Sequence, residues 1–302
     1  MKKNINNFSH LIEAVIHGPK QTIAVVSADD ISTLEVIAEA EQMDLANFIL
    51  IGDENKIKKF ITENNLKISA KIVDKAEHRV AAETGVSLVR ENKADVLMKG
   101  MLHSSVFLKA VLNKEKGLNT GKHVTQISVL EKENGGLLMI TDCAISIEPD
   151  LNAKVQIIQN AVELAHKLGV KVPKVAVLAP IEVVNPAIQD TVDAAVLSKM
   201  AERGQIKGCI IDGPLAFDNA ISQSAAQTKG IESQVAGNAD IILVPNLAVG
   251  NALTKSITYI AKKTVIAATV GAAAPLVFTS RTESKQGKLL TIALAAYGAS
   301  DE

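Results

Sequence analysis

The chain has 302 residues, and 32 Lys and Arg against 33 Asp and Glu give a formal net charge of −1. This balance provides no global field for holding nucleic acid or an anionic membrane, so any anionic ligand must be bound by local contacts. Trp is absent, and only two Tyr and six Phe occur, which disfavours stacking platforms for single-stranded nucleic acid. The length suits two lobes of ordinary domain size with a cleft between them.

The apolar stretch near the amino terminus is too brief for the core of a signal peptide, and the longest apolar run, 265–278, is shorter than a membrane span. We therefore expect a cytoplasmic protein. The two cysteines, Cys143 and Cys209, lack the paired spacing of a zinc site or a redox dithiol. We interpret both as buried thiols, because a free cysteine behaves as a small hydrophobic residue.

Apolar strand-like runs alternate with amphipathic helical segments along the chain, which is typical of βαβ units. Asp30, Asp53 and Asp150 are predicted to cap three of the helices, and the helix after Asp150 is predicted to end at Gly169. The pattern predicts an α/β fold with mostly parallel sheets and helices on both faces. The predicted strands, in chain order, are TIAVVSA, FILIG, AKIVD, VLMKG, KVAVLAP, CIIDGP, IILVP, TVIAATV and PLVFTS.

One segment departs from this alternation. Residues 123–143 are predicted to form two antiparallel strands joined by a tight turn at Asn134, Gly135 and Gly136. Such a hairpin in a parallel pattern marks a lobe boundary or a subunit contact, and we place the crossing between the lobes near it. The predicted first lobe comprises residues 1–127 with 275–302, and the predicted second lobe comprises residues 128–274.

Ligands of open α/β sheets bind beyond the carboxyl ends of the strands, so the residues that follow each apolar run are the candidates for chemistry. The sequence lacks the glycine-rich fingerprints of dinucleotide and nucleotide-phosphate sites, the H-E-x-x-H motif and the G-x-S-x-G elbow. A phosphate or acyl-transfer site without a metal or a covalent nucleophile remains compatible with the sequence.

The passage after the last predicted strand contains Thr279, Ser280 and Arg281 ahead of a helix that begins near Lys288. A helix start with hydroxyl groups and an arginine fork can bind an anion. An ordinary hydroxyl cap beside a solvated arginine is the alternative interpretation.

Three other strand ends offer candidates with competing interpretations. Two interpretations of Lys99 remain open, a phosphate contact and a surface lysine, and Ser104 and Ser105 are predicted to cap the helix that follows it. His103 is interpreted as structural. Asp212, predicted at a strand end, is a candidate for orienting a ligand or a base.

Several blocks, taken in order, resemble phosphate butyryltransferases and, more distantly, phosphate acetyltransferases along nearly the whole chain. The resemblance implies the two-lobed architecture of isocitrate and isopropylmalate dehydrogenases, and a homodimer or larger assembly. The blocks are ADVLMKG, LLMITDCAISIEPDLNAKVQIIQNAV, VAVLAPIEVVNP, TVDAAVLSKM, IDGPLAFDNAIS, NADIILVPNLAVGNALTKSI and PLVFTSRTESKQGKLLTIALA.

The resemblance also implies a reaction, the reversible conversion of acyl coenzyme A and phosphate into acyl phosphate and coenzyme A. A thiolate attacks the acyl phosphate carbonyl directly, with no metal or prosthetic group, so coenzyme A is a substrate and no cofactor is expected. The butyryl-type blocks indicate a short or branched acyl group.

The family motifs imply roles for individual residues. Arg281 is assigned to the phosphate and the developing oxyanion, and Ser280 to a hydrogen bond near the sulfur or the carbonyl. Glu283 is proposed as the thiol base, with Asp212 as a further catalytic candidate. The remaining assignments are Lys99, Ser104, Thr125, Lys122 and Lys288 for phosphate, and Asn246, Gly250, Asn251 and Thr279 for coenzyme A.

The sequence departs from the family pattern at two places. Asn119 stands where butyryltransferases carry an arginine, and Lys122 replaces a second one, which weakens or alters anion recognition. The aspartate proposed as base in the acetyltransferases falls on Gln286 or Gly287. Two alternatives therefore remain open, a catalytically weak protein that binds acyl coenzyme A and a metal- and NAD-dependent decarboxylating dehydrogenase.

Overall fold

The structure, a computed structural model, describes residues 4–280 and 282–300 and divides into two compact units. The first unit comprises residues 8–122 with the described residues from 266 onward, and the second unit comprises residues 4–7 with 123–265. Within the part of the chain that the structure describes, no helix is long and apolar enough to cross a membrane.

The described chain contains eleven strands and eleven helices, which alternate over most of its length. The strands are β1 (Thr22–Val26), β2 (Asn47–Gly52), β3 (Lys71–Asp74), β4 (Val96–Lys99), β5 (Thr125–Glu131), β6 (Leu137–Thr141), β7 (Lys174–Leu178), β8 (Ile210–Leu215), β9 (Ile241–Leu243), β10 (Ile266–Val270) and β11 (Leu276–Val277). The helices are α1 (Phe8–Ile16), α2 (Ile31–Gln42), α3 (Glu54–Glu63), α4 (His78–Arg90), α5 (Ser104–Val111), α6 (Leu151–Lys167), α7 (Gln189–Glu202), α8 (Phe217–Ile221), α9 (Gln223–Thr228), α10 (Leu247–Tyr259) and α11 (Lys285–Ala299).

In the first unit the strand order is β3-β2-β1-β4-β11-β10. All neighbours are parallel except β10 and β11, which pair in antiparallel fashion. The central strands are continuous apolar runs, and β1 and β4 are buried on both faces, as expected of parallel strands covered by helices.

In the second unit the strand order is β5-β6-β9-β7-β8. β5 and β6 form the predicted antiparallel hairpin, and the other neighbours are parallel. Its turn contains Gly135 and Gly136 with φ of +84° and +85°. Both units are therefore α/β layers with mostly parallel sheets, which confirms the predicted fold class.

The predicted helix caps are present. Asp30, Asp53 and Asp150 each accept a hydrogen bond from a backbone N–H in the first turn of α2, α3 and α6 respectively, which satisfies donors that have no partner inside the helix. Gly169, with φ of +96°, follows the end of α6. The local signals at these helix ends were sufficient to locate them.

The division between the units differs from the predicted lobes. The chain enters the second unit at residue 123, before β5, because β5 pairs with β6. It leaves at residue 266, because β10 pairs with β11 of the first unit. The segment 4–7 lies in the second unit, where the Ile5 amide donates to Leu168 O at 2.9 Å.

Gly100 follows β4, and a Cβ atom there would lie 2.3 Å from Ser27 O. We predict that Gly100→Ala lowers the free energy of unfolding by about 1–3 kcal/mol, because the crowding atom is backbone and cannot turn away. Urea denaturation would measure this. Gly298→Ala is the control, because its Cβ would lie 3.9 Å from Pro275 Cγ in ordinary contact. Equal stabilities of the two variants would contradict the prediction.

Candidate active site

Three neighbouring parallel strands of the first unit, β1, β4 and β11, end at the same edge of the sheet. The register pairs Val26 with Lys99 and Met98 with Val277. The segments after these strands carry Ser27, Gly100 and Ser280, so the sequence rule that selects residues at strand ends brings these groups to one edge.

Lys99 is buried, with 8% of its surface exposed, so the alternative interpretation of a surface lysine is wrong. Its Nζ donates to Gly100 O at 3.2 Å and lies 5.9 Å from the centroid of the Phe278 ring. The Phe278 ring packs against Phe107 with the ring centroids 5.9 Å apart. The ammonium group is thus held against an aromatic face, an arrangement that favours a cation.

The segment after β11 leads directly into α11. Ser280 is exposed, and its Oγ lies 3.0 Å from Thr282 Oγ1. The Ser284 hydroxyl caps α11 by accepting from the Gly287 amide at 3.0 Å. Arg281 lies outside the described residues, so its assigned role stays a prediction. Thr279 is half-buried in the same segment.

Glu283 lies at the start of α11 and is half-buried. Burial raises the pKa of its carboxyl to about 7, while the Thr291 hydroxyl, the Ser280 backbone and the Lys288 charge act in the opposite direction. Thr291 Oγ1 donates to Glu283 Oε1 at 3.2 Å and accepts from the Ala267 amide at 3.2 Å. A carboxyl with this pKa can both take and give a proton near neutral pH.

Two further predicted phosphate residues, Lys288 and Ser104, lie at helix starts of the first unit. Lys288 Nζ donates to Ser32 Oγ at 3.1 Å, which joins the first turn of α11 to the start of α2. Ser104 is the first residue of α5 and its hydroxyl forms no cap hydrogen bond, since the N-cap residue is His103. The predicted capping role of Ser104 is therefore wrong, because the extended backbone ends one residue earlier.

The loop that departs from the family pattern also has an ordered local structure. Asn119 Oδ1 accepts from the Gly121 amide at 2.8 Å, and Thr120 Oγ1 donates to Gly271 O at 2.7 Å. Lys122 is exposed. The Asn119 side chain thus closes a turn of the loop. The longer arginine side chain would not fit the geometry of this turn.

The predicted residues of the second unit lie on several different elements. Thr125 is fully buried, and its hydroxyl accepts from Asn160 Nδ2 at 2.9 Å. Asn246 caps α10 by accepting from the Val249 amide at 3.1 Å, and Asn251 is half-buried in that helix. A Cβ atom at Gly250 would lie 2.7 Å from Asp142 O, so helix packing requires a glycine there.

The placement of Asp212 at a strand end is wrong. β8 continues to Leu215, and Asp212 is its third residue, paired with Ala176 of β7. Its Oδ1 accepts from the Gly213 amide at 2.8 Å. A polar residue after an apolar run indicates a strand end, but the edge strand β8 accommodates the half-buried Asp212 side chain in its interior. Its catalytic role stays a prediction.

Cys143 is buried as predicted, whereas the prediction for Cys209 is wrong, since its side chain is only half-buried. Burial raises the pKa of Cys143 to about 12 and that of Cys209 to about 11. Among residues 4–280 and 282–300, no group of three or more His, Cys, Asp and Glu side chains could hold a metal ion.

Sequence reasoning missed a buried polar cluster in the second unit. Asp142, after β6, is 2% exposed and accepts a hydrogen bond from Ser146 Oγ at 2.7 Å. Ser146 Oγ also lies 2.7 Å from His123 Nε2. Asp142 directly follows the end of β6, so its position after a strand is the sequence signal that indicates it.

The fold and the site are those of a ligand-binding α/β protein with mostly parallel sheets. Lysine, hydroxyl and carboxyl groups lie at the carboxyl ends of its strands, where proteins of this class bind small ligands.

Comparison with known proteins identifies the family. Residues 72–296 match the family described as phosphate acetyl/butaryl transferase. The chain is 44% identical to the phosphate butyryltransferase of Clostridium beijerinckii over 96% of this chain and 97% of that protein. It is 45% identical to the probable phosphate butyryltransferase of Bacillus subtilis over 94% of each. The chain belongs to the phosphate acetyl/butyryl transferase family, which confirms the resemblance inferred from the sequence.

A solved structure agrees with this assignment. The crystal structure of a branched-chain phosphotransacylase from Enterococcus faecalis V583 superimposes with a TM-score of 0.83 at 29% sequence identity. The match covers 92% of this chain and 99% of that one. The α/β fold is therefore that of a phosphotransacylase.

We predict that Thr291→Val raises the pKa of Glu283 further above its ordinary value, because the hydroxyl that stabilises the ionised carboxylate is lost. Carbon-13 NMR titration of the labelled carboxyl, assigned with Glu283→Gln, measures this shift. Thr291→Ser keeps the hydroxyl and is the matched control. A pKa that is the same in the Val and Ser variants would show that the hydrogen bond does not act on the carboxyl.

Proposed function

We propose that this protein transfers a short or branched acyl group reversibly between coenzyme A and inorganic phosphate. The family and the named activities of its relatives support this reaction. The observation that carries the proposal is Glu283, a carboxyl at the Ser280 segment with its pKa raised to about 7. Reversible acyl transfer to and from a thiol needs a group that can take and give a proton near neutral pH.

In the proposed mechanism Glu283 takes the proton of the coenzyme A thiol. The thiolate then attacks the carbonyl carbon of the acyl phosphate, and the new carbon–sulfur bond places negative charge on the carbonyl oxygen. Arg281 stabilises that charge and Ser280 donates a hydrogen bond near it. When the carbonyl re-forms, the bond between carbon and the phosphate oxygen breaks and its electron pair leaves with phosphate.

The substrates are assigned as the resemblance implies. Lys99 is the best-supported phosphate residue, because its ammonium group is buried at the same edge of the sheet as Ser280. The other phosphate assignments to Ser104, Lys122, Thr125 and Lys288, and the coenzyme A assignments to Thr279, Asn246, Gly250 and Asn251, remain part of the proposal. Asp212 is retained as a supporting group.

The proposal also includes the isocitrate dehydrogenase-like architecture, a cytoplasmic location and a homodimer or larger assembly. No cofactor is assigned. The similar Enterococcus faecalis structure is that of a branched-chain phosphotransacylase, which supports a short or branched acyl group.

We predict that purified protein releases free thiol from butyryl coenzyme A only when phosphate is present. Arg281→Ala lowers kcat/KM by at least about a hundredfold, because it removes the cation at the developing oxyanion. Arg203→Ala, an exposed arginine after α7, is the control and leaves the rate unchanged. Tight binding of coenzyme A with no phosphate-dependent turnover would instead favour a binding protein.

We predict that kcat/KM for coenzyme A, at saturating butyryl phosphate, rises as the pH increases through about 7 and then levels off. The sign follows from the raised pKa of Glu283, since only the ionised carboxylate accepts the thiol proton. Glu283→Gln loses this limb and about a hundredfold or more of the rate. A profile through neutral pH that is the same in Glu283→Gln would exclude this carboxyl as the base.

A further inference from the structure

The peptide group between Gly100 and Met101 is held at both of its polar atoms. Its oxygen, Gly100 O, accepts from Lys99 Nζ at 3.2 Å. Its amide, Met101 N, donates to Ser27 O at 3.0 Å. The backbone of Met101 therefore shares a peptide group with the oxygen that binds the Lys99 ammonium group, and backbone hydrogen bonding to the end of β1 fixes its place.

Met101 is the central residue of a tight turn. Leu102 N donates to Gly100 O at 3.0 Å, and this hydrogen bond closes a three-residue turn around Met101. Gly100 and Leu102 are buried, whereas Met101 is 39% exposed. The turn therefore leaves one large apolar residue exposed to solvent directly after a buried cation.

The position of Met101 distinguishes it from other exposed apolar residues. Among the described residues of the first unit, the large apolar residues that are exposed are Met101 and Leu112, at 39% and 40%. Single exposed apolar side chains are ordinary in folded proteins. Leu112 lies at the far end of α5, as its C-cap residue. Met101 instead follows β4, at the edge of the sheet that carries Lys99 and the Ser280 segment.

An aromatic ring lies at the same edge. Phe278 directly follows β11, which pairs with β4, and its half-buried ring has its centroid 5.9 Å from Lys99 Nζ. The ring packs against the buried Phe107 with the centroids 5.9 Å apart. Two apolar residues, Met101 and Phe278, therefore follow two neighbouring strands beside one cation.

The proposed function, on which this inference rests, requires a cation and apolar surface side by side. An acyl phosphate joins a phosphate dianion to an apolar chain through a single carbonyl carbon. A site that binds the phosphate at Lys99 must therefore accommodate the chain close to that residue. Burial of each methylene group of the chain strengthens binding by about fourfold, provided that apolar surface covers it.

We propose that Met101 forms the subsite for the acyl chain, with Phe278 as a second apolar wall. The occupant is a short saturated chain, straight or branched, whose phosphate lies at Lys99. Methionine is unbranched and flexible, so its side chain adapts to chains of different shape. Met101 determines specificity, because it contacts the chain and not the atoms whose bonds form and break.

The test compares acyl phosphates that differ only in the chain. Butyryl phosphate has two more methylene groups than acetyl phosphate and shares its phosphate and carbonyl groups. We expect Met101→Ala to lower the ratio of kcat/KM for butyryl phosphate to kcat/KM for acetyl phosphate by about tenfold, because the truncation removes surface that covers those methylene groups.

A second variant changes the shape of the subsite and keeps it apolar. Met101→Phe introduces a rigid ring that does not adapt to a branch next to the carbonyl. We expect it to lower the ratio of kcat/KM for isobutyryl phosphate to kcat/KM for butyryl phosphate by about tenfold. Leu112→Ala is the matched control, because Leu112 is equally exposed and lies away from the strand ends. It leaves both ratios unchanged.

The outcomes separate this inference from the proposed function. A ratio of butyryl to acetyl phosphate that is unchanged in Met101→Ala overturns the subsite, even if both rates fall, because Met101 then acts on the whole site and not on the chain. An equal fall of this ratio in Leu112→Ala overturns it as well. Both results leave acyl transfer by the unchanged protein intact. Absence of that transfer overturns the proposed function and this inference with it.

Discussion

The parallel pairing of β4 with both β1 and β11 is the constraint on which the candidate site depends. Since these strands run side by side in the same direction, their ends lie at one edge, and the register fixes which residues leave the sheet together. The close approach of Gly100 to Ser27 O keeps this edge tight. Backbone hydrogen bonds between the strands thus fix where Lys99 and the Ser280 segment leave the sheet.

Glu283 adds an electrostatic property to this geometry. Burial disfavours its ionised form, and hydrogen bonding from Thr291 with the charge of Lys288 favours it. These opposing effects leave the pKa of the Glu283 carboxyl near neutral pH, which suits a reaction that runs in both directions. The raised pKa lowers the stability of the folded state, because the same carboxyl ionises at a lower pH in the unfolded chain. The folded state therefore becomes less stable as the pH rises from the ordinary glutamate range to about 7. A strained or destabilised group of this kind is typical of functional sites.

The sequence was sufficient to predict what depends on local patterns. Every predicted apolar run contains a strand, and the caps at Asp30, Asp53 and Asp150 are present. The predictions were wrong where the tertiary structure determines the ends of strands and helices. The polar Asp212 lies within the edge strand β8, and His103 is the N-cap residue of α5 in place of Ser104.

The candidate site was predictable only in part, for a related reason. Family motifs indicated Glu283, but its raised pKa depends on burial in the folded chain, which composition does not reveal. The contact between His123 and Ser146 joins two loops separated by the whole hairpin of β5 and β6. No spacing rule brings such residues together, since the length and register of the hairpin determine where they meet.

The division of the chain has a consequence for biosynthesis. Residues 4–7 and 123–265 complete the second unit, whereas the first unit begins at residue 8 and needs β10, β11 and α11 from the end of the chain. A ribosome that has released residue 265 has therefore supplied every described segment of the second unit, while β4 still lacks its neighbour β11. Because domains fold as units during translation, the second unit can be completed before the first, and the β4 edge of the first unit stays unpaired until β11 has been synthesised.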